Sequence, residues 1–127
     1  MTKTVLNSPK APAAVGPYSH GIAAAGTVVF VSGQLPIDPA TGAFAEGGVR
    51  AQTRQSLTNL QAVLAEAGAS LANVIKTTVF LKNMDDFAAM NEEYASFFEG
   101  GFPARSAIEV ARLPKDALVE IEAVAVV

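Results

Sequence analysis

The chain has no cysteine, no tryptophan and a single histidine, His20. Without cysteine there can be no disulfides, thiolate metal sites or cysteine nucleophiles, and the composition suits a reducing, cytoplasmic setting. His20 has no carboxylate or nucleophile near it in sequence, so it is read as an ordinary residue and left out of the site. Charge is also sparse: 17% of residues are charged and the formal net charge is −3. The Lys and Arg residues are scattered rather than gathered into a stripe, which leaves no footprint for nucleic acid. Arg50 and Arg54 read as a solvated helix face. The run from Ala11 to Ile37 contains no Asp, Glu, Lys or Arg, yet prolines, glycines and polar residues interrupt it throughout, so it is not a membrane span. Lys3 is followed by no apolar run before Asn7 and Pro9, and no secretory signal is expected. The turn-rich segment from Pro36 to Gly42 and the Gly47-Gly48 pair lack the spacing of a phosphate cradle.

Half of the 127 residues are hydrophobic. This is apolar for a chain whose length fits one domain, residues 1–127, around one core, and an oligomer would absorb the excess. Strands are expected over Thr2 to Leu6, His20 to Ala24, Thr27 to Gly33, Val74 to Lys82, Arg105 to Arg112 and Leu118 to Val127. A helix is expected over Val49 to Ala67, with Val49, Thr53, Leu57, Leu60 and Leu64 as its inward stripe and Gly68 as its stop. A second helix, Met84 to Phe98, carries Asp85 and Asp86 in its first turn and an inward stripe of Phe87, Asn91, Tyr94 and Phe98. Asn91 interrupts that seam with an amide that must find partners, in the core or on a ligand. The order describes an α+β domain: a six-stranded, mainly antiparallel sheet with two helices on one face. Two helices cover one face only. Val28 and Phe30 alternate with Val29 and Val31, so the opposite face is also apolar and should be buried against other subunits.

The chemistry concentrates near the C-terminal end. Pro103 stiffens the entry to a strand in which Arg105, Ala107, Glu109 and Ala111 share one face. Small neighbours beside a planar, permanently charged fork suit a bidentate grip on a small carboxylate. Glu120 and Glu122 lie on one face of the last strand with Leu118, Val124 and Val126. A carboxylate on an apolar face needs a partner or a task. Spacing leaves two readings open: a catalytic pair, or a structural ion pair between Arg105 and Glu120. Tyr18, placed by the rigid Gly16-Pro17 corner, is similarly open between ligand contact and core cap.

Pro103-Ala104-Arg105-Ser106, Ile108, Ala111, Leu113 and Val119-Glu120-Ile121 resemble the C-terminal signature of the RidA family, also called the YjgF/YER057c/UK114 family. The resemblance continues through Gly16-Pro17-Tyr18, Val31-Ser32-Gly33-Gln34-Leu35-Pro36, Gln55-Ser56-Leu57-Thr58-Asn59-Leu60, Lys76-Thr77-Thr78-Val79-Phe80 and Phe87-Ala88-Ala89-Met90-Asn91, covering essentially the whole chain. It implies a chorismate-mutase-like fold assembled as a homotrimer with ligand clefts between subunits. It also implies hydrolysis of reactive enamine/imine intermediates, 2-aminoacrylate with 2-iminopropanoate, and 2-iminobutanoate, to 2-oxo acids and ammonia. Arg105 would clamp the substrate carboxylate and Glu120 would hold a water and move protons, with Tyr18, Ser32, Asn91 and Ala107 as further substrate contacts. Position 107 is alanine where many relatives carry cysteine, so only its backbone remains available there. No metal and no organic cofactor is expected. The alternatives are a non-catalytic carboxylate-binding or regulatory module, and an RNA-directed or chaperone role. The charge balance argues against RNA, and burial in a trimer would explain the apolar surplus without a chaperone role.

Overall fold

Val74–Leu81 is a run rich in β-branched residues, and it forms a strand at the heart of the protein, paired on both sides. The computed structural model describes residues 2–127. In chain order its elements are β1 (Thr2–Leu6), β2 (Gly21–Ala25), β3 (Val28–Gln34), α1 (Gly48–Glu66), β4 (Val74–Leu81), α2 (Phe87–Ser96), β5 (Ala104–Glu109) and β6 (Val119–Val126). The expected α+β domain with two helices is present, with strand ends shifted by a few residues.

The single six-stranded sheet is corrected. The six strands divide into a two-stranded sheet, β1-β2, and a four-stranded sheet in the order β3-β6-β4-β5. The break falls at Gly26, whose φ of 144° is one that only glycine adopts freely. Beyond that bend Thr27 exchanges two backbone hydrogen bonds with Val127, at 2.8 and 3.0 Å, which commits β3 to β6 rather than to β2. Pairing is antiparallel except between β4 and β5, which run parallel.

Two further expectations shift. The second helix begins as a short 3₁₀ turn, Met84–Asp86, capped by the Asn83 side chain, and becomes α-helical only at Phe87. The Met84 N–H donates to the Glu109 carboxylate at 2.8 Å, which ties this turn to the end of β5. Strand β5 stops at Glu109 rather than Arg112 because its partner β4 ends at Leu81, the residue opposite Glu109.

The core lies between the four-stranded sheet and the helices. Leu57, Leu60 and Leu64 of α1, Met90 and Tyr94 of α2, and Val79, Leu81, Val119 and Ile121 of the sheet are fully buried. Each such aliphatic side chain contributes about 1.5–3 kcal/mol relative to exposure. The expected inward stripe of α1 is buried at all five positions, Val49, Thr53, Leu57, Leu60 and Leu64. Arg50 and Arg54 do more than face solvent: they pair with Glu92 and Glu93 of α2, each at 2.8 Å. Exposed pairs of this kind orient the two helices and add little stability. The opposite sheet face carries no helix, and Phe30 is 78% exposed, Val28 51% and Ile108 44%.

Candidate active site

Arg105 stands on β5 opposite Thr77 of β4, and Thr77 in turn lies opposite Ala123 of β6. Side chains directly opposite one another across paired strands share a sheet face. Because Thr77 is buried against Tyr94 of α2, this is the helix-covered face. The half-buried Arg105 guanidinium is surrounded by aromatic rings, one amide and one thioether. Its Cζ lies 4.9 Å from the Tyr94 ring centroid and 5.7 Å from those of Tyr18 and Phe87. Nη1 donates to Asn91 Oδ1 at 2.8 Å and approaches Met90 Sδ at 3.9 Å. A Cβ at Gly16 would sit 3.2 Å from Nη2 and 3.3 Å from Asn91 Nδ2, so the missing side chain leaves room beside that donor.

No carboxylate lies within ion-pair distance of Arg105 among the described residues. Aromatic faces and one amide compensate part of its charge. Desolvation nonetheless lowers its pKa from the ordinary arginine value, with the nearby Tyr94 and Tyr18 opposing that effect. A cation desolvated in this way and short of a counter-ion is chemically suited to receive an anion. Tyr18 is held by its own loop, its hydroxyl accepting from the Val15 N–H at 3.3 Å.

Glu120 stands elsewhere. It lies opposite Phe80 of β4, which lies opposite Ile108 of β5. Three residues along β4 from Thr77 reverses the side, so Glu120 projects from the helix-free face while Arg105 projects from the other. Its carboxyl is pushed above the usual glutamate range, first by burial and then by the charge of Glu122. The carboxylate packs directly on Gly33, where a Cβ would collide with Oε2. Gly33 and Ser32 form the irregularity between the Val31–Ala123 and Gln34–Ile121 pairs of β3 and β6. Ser32 is exposed and stands with Gly33 across from Glu122, on β3 rather than beside Arg105 on β5.

Within one chain, then, Arg105, Asn91 and Tyr18 come together, with Ala107 two residues along the same face of β5. Glu120 stands on the opposite face, packed on Gly33, and Ser32 lies next to that glycine on β3. A structural ion pair between Arg105 and Glu120 is excluded within the chain by the intervening strand and the opposite faces. His20 stays apart from both groups, its Nδ1 accepting from the Ser8 N–H at 3.2 Å. Sequence reasoning missed the cage around Arg105. Phe87 and Tyr94 belonged to the same inward stripe as Asn91, and that spacing was the available signal: a stripe that carries an amide to a cation carries its neighbours there too.

A family model described as Endoribonuclease L-PSP matches residues 8–127. A RutC family protein of Synechocystis is 56% identical, over 99% of this chain and 98% of its own. A protein of Salmonella typhimurium named 2-iminobutanoate/2-iminopropanoate deaminase is 52% identical, over the same shares of the two chains. Among solved structures, E. coli TdcF with bound serine superposes with a TM-score of 0.76 at 44% identity, covering 98% of each chain.

Proposed function

The chain belongs to the Endoribonuclease L-PSP (RidA/YjgF) family, and from that premise we propose that it hydrolyses 2-imino acids, 2-iminopropanoate and 2-iminobutanoate, to 2-oxo acids and ammonia. The observation that carries the reading is the half-buried Arg105 guanidinium with no carboxylate of its own. Its remaining donors fit the carboxylate of a 2-imino acid, and the name of the Salmonella relative and the serine bound to TdcF support a ligand of that kind.

The iminium carbon is already electrophilic, so the chemical demand is to place one water and move protons. The water oxygen adds to the C=N carbon and gives a proton to Glu120. Glu120 then returns that proton to the nitrogen; as the C–N bond breaks the carboxylate takes up the remaining hydroxyl proton, the carbonyl forms, and this second proton passes to the departing ammonia, which leaves as ammonium. A raised carboxyl pKa brings Glu120 closer to the pH at which it can both accept and return a proton. Because Arg105 and Glu120 project from opposite faces of one sheet, a site that uses both takes them from two protomers. The exposed apolar face that carries Glu120 supports such an assembly, which we read as a homotrimer with the cleft between subunits.

A single chain supplies the carboxylate grip without Glu120, and this favours a non-catalytic carboxylate-binding module as the second reading. RNA cleavage, named in the family description, draws little support from a net charge of −3. The deciding experiment generates 2-iminopropanoate enzymatically with a carbonyl-trapping reagent, with and without this protein. Hydrolysis predicts faster loss of the imine and matching release of pyruvate and ammonia. Unchanged decay, together with saturable binding of 2-oxobutanoate, would replace the enzyme with the binding module.

A further inference from the structure

Thr77, Tyr94 and Arg105 form one contiguous group on the helix-covered face, and the proposed reaction accounts only for the arginine. Register sets Thr77 and Arg105 side by side. Tyr94 descends from α2 across both, fully buried, with its hydroxyl 2.7 Å from Thr77 Oγ1 and its ring 4.9 Å from Arg105 Cζ. The Phe98 ring braces it at 4.8 Å. Packing alone would be served by phenylalanine, which brings no hydroxyl into a dry core. Here both hydroxyls are buried and satisfy each other, and the bond fixes the height and tilt of the ring beneath the guanidinium.

We propose that Tyr94, tethered by Thr77, is a positioning residue for Arg105. It holds the guanidinium with Nη1 committed to Asn91, so that Nη2, beside the space left open by Gly16, receives the carboxylate together with Nε on the same edge of the fork. An arginine with no counter-ion would otherwise exchange among rotamers, and each exchange would break the two-donor edge. The ring's electron-rich face provides the restraint that a carboxylate partner would provide elsewhere, while leaving the charge unneutralised for ligand. This inference rests on the reading of Arg105 as the carboxylate clamp.

The test compares wild type with Thr77→Val and Tyr94→Leu by NMR of the Arg105 Nε–H group, assigned by its absence in Arg105→Lys, alongside 2-oxobutanoate titrations. Thr77→Val keeps the shape and loses the tether; Tyr94→Leu loses the ring. Both should speed solvent exchange and rotation at Arg105 Nε. The dissociation constant should rise about threefold for Thr77→Val and about ten- to thirtyfold for Tyr94→Leu, with kcat on saturating imine nearly unchanged. Tyr94→Phe, which retains the ring, should recover most of the loss seen with leucine. Unchanged Arg105 Nε–H exchange in both Thr77→Val and Tyr94→Leu overturns the inference whatever the melting temperatures do. If wild type fails to hydrolyse imines, the functional reading falls, and the Nε–H comparison still decides the positioning role.

Discussion

Replacing Arg105 with alanine separates the ligand clamp from every structural role the residue could have. The substrate carboxylate would accept from the Nε and Nη2 donors that Asn91 leaves free. Charge-assisted hydrogen bonds contribute about 1.5–3 kcal/mol each, so losing both should cost on the order of 3–5 kcal/mol. That corresponds to roughly two to four decades in kcat/KM. The cost to the fold should be far smaller. Removing one member of a buried ion pair strands its partner, at about 3–5 kcal/mol, but Arg105 has no such partner among the described residues. What it leaves behind is an unmet Asn91 Oδ1 and a less well packed Tyr94 ring, partly offset by relief of the desolvated cation itself. Circular-dichroism melts, 2-oxobutanoate titrations and imine-hydrolysis rates on the same preparation make the comparison. The expected result is a melting temperature within a few degrees of wild type, with ligand binding and turnover both lost. A large drop in melting temperature with near-native activity in the folded fraction would refute the clamp and make the residue structural.

Glu120→Gln should lower kcat while leaving 2-oxobutanoate affinity largely intact, as single-turnover rates and titrations would show. It should also raise the melting temperature at neutral pH. A carboxyl whose pKa is raised on folding favours the folded state most below its unfolded pKa and loses that contribution as pH rises through the folded value; the gain from glutamine should therefore vanish in acid, and a gain that persists there would contradict this linkage. Phe30→Glu should dissociate the assembly, read by sedimentation, and abolish turnover with it; an active monomer would overturn the shared cleft. Mixing Arg105→Ala with Glu120→Gln protomers under exchange conditions should raise activity above that of either variant alone, and no gain despite confirmed mixing would place both groups of one site on one chain. Activity should survive EDTA and thiol-modifying reagents, since the chain has no cysteine and no cluster of three potential metal ligands is found among the described residues.

Much of the fold was legible because hydrophobic period is a local property. The α1 stripe from Val49 to Leu64 and the β-branched run of β4 announce themselves within a few residues, and the structure buries the first and forms a strand from the second. The split of the sheet was not legible. It depends on Thr27 meeting Val127 at the far end of the chain, a pairing that no window around Gly26 contains. The parallel β4-β5 pair likewise follows from α2 carrying the chain back across the sheet, a matter of connection rather than composition. At the site, the parity of β5 correctly set Arg105 and Ala107 on one face. Parity within β6 correctly set Glu120 beside Glu122. Which of those faces the helices cover is a relation between strands, and only the register through Thr77 and Phe80 shows that Arg105 and Glu120 point apart.

That separation connects two features the sequence presents as unrelated. The chain is more apolar than a small domain requires, and it holds a carboxylate among apolar neighbours. Both belong to the face that α1 and α2 leave bare: Phe30, Val28 and Ile108 supply the exposed hydrophobic area, and Glu120 stands beside Phe80 within it. On an isolated chain this face would be a liability for aggregation, while partial burial and the charge of Glu122 already raise the Glu120 carboxyl above its ordinary range. Covering it with a second copy would remove the first problem and, by desolvation, raise the Glu120 pKa further toward the range where a carboxylate serves as a general base at neutral pH. Arg105 needs no such cover, because Phe87 and Tyr94 of α2, with Tyr18, already supply the aromatic surroundings that desolvate it. Binding of the carboxylate and activation of the water would thus depend differently on assembly: the grip is built by folding, the base by association.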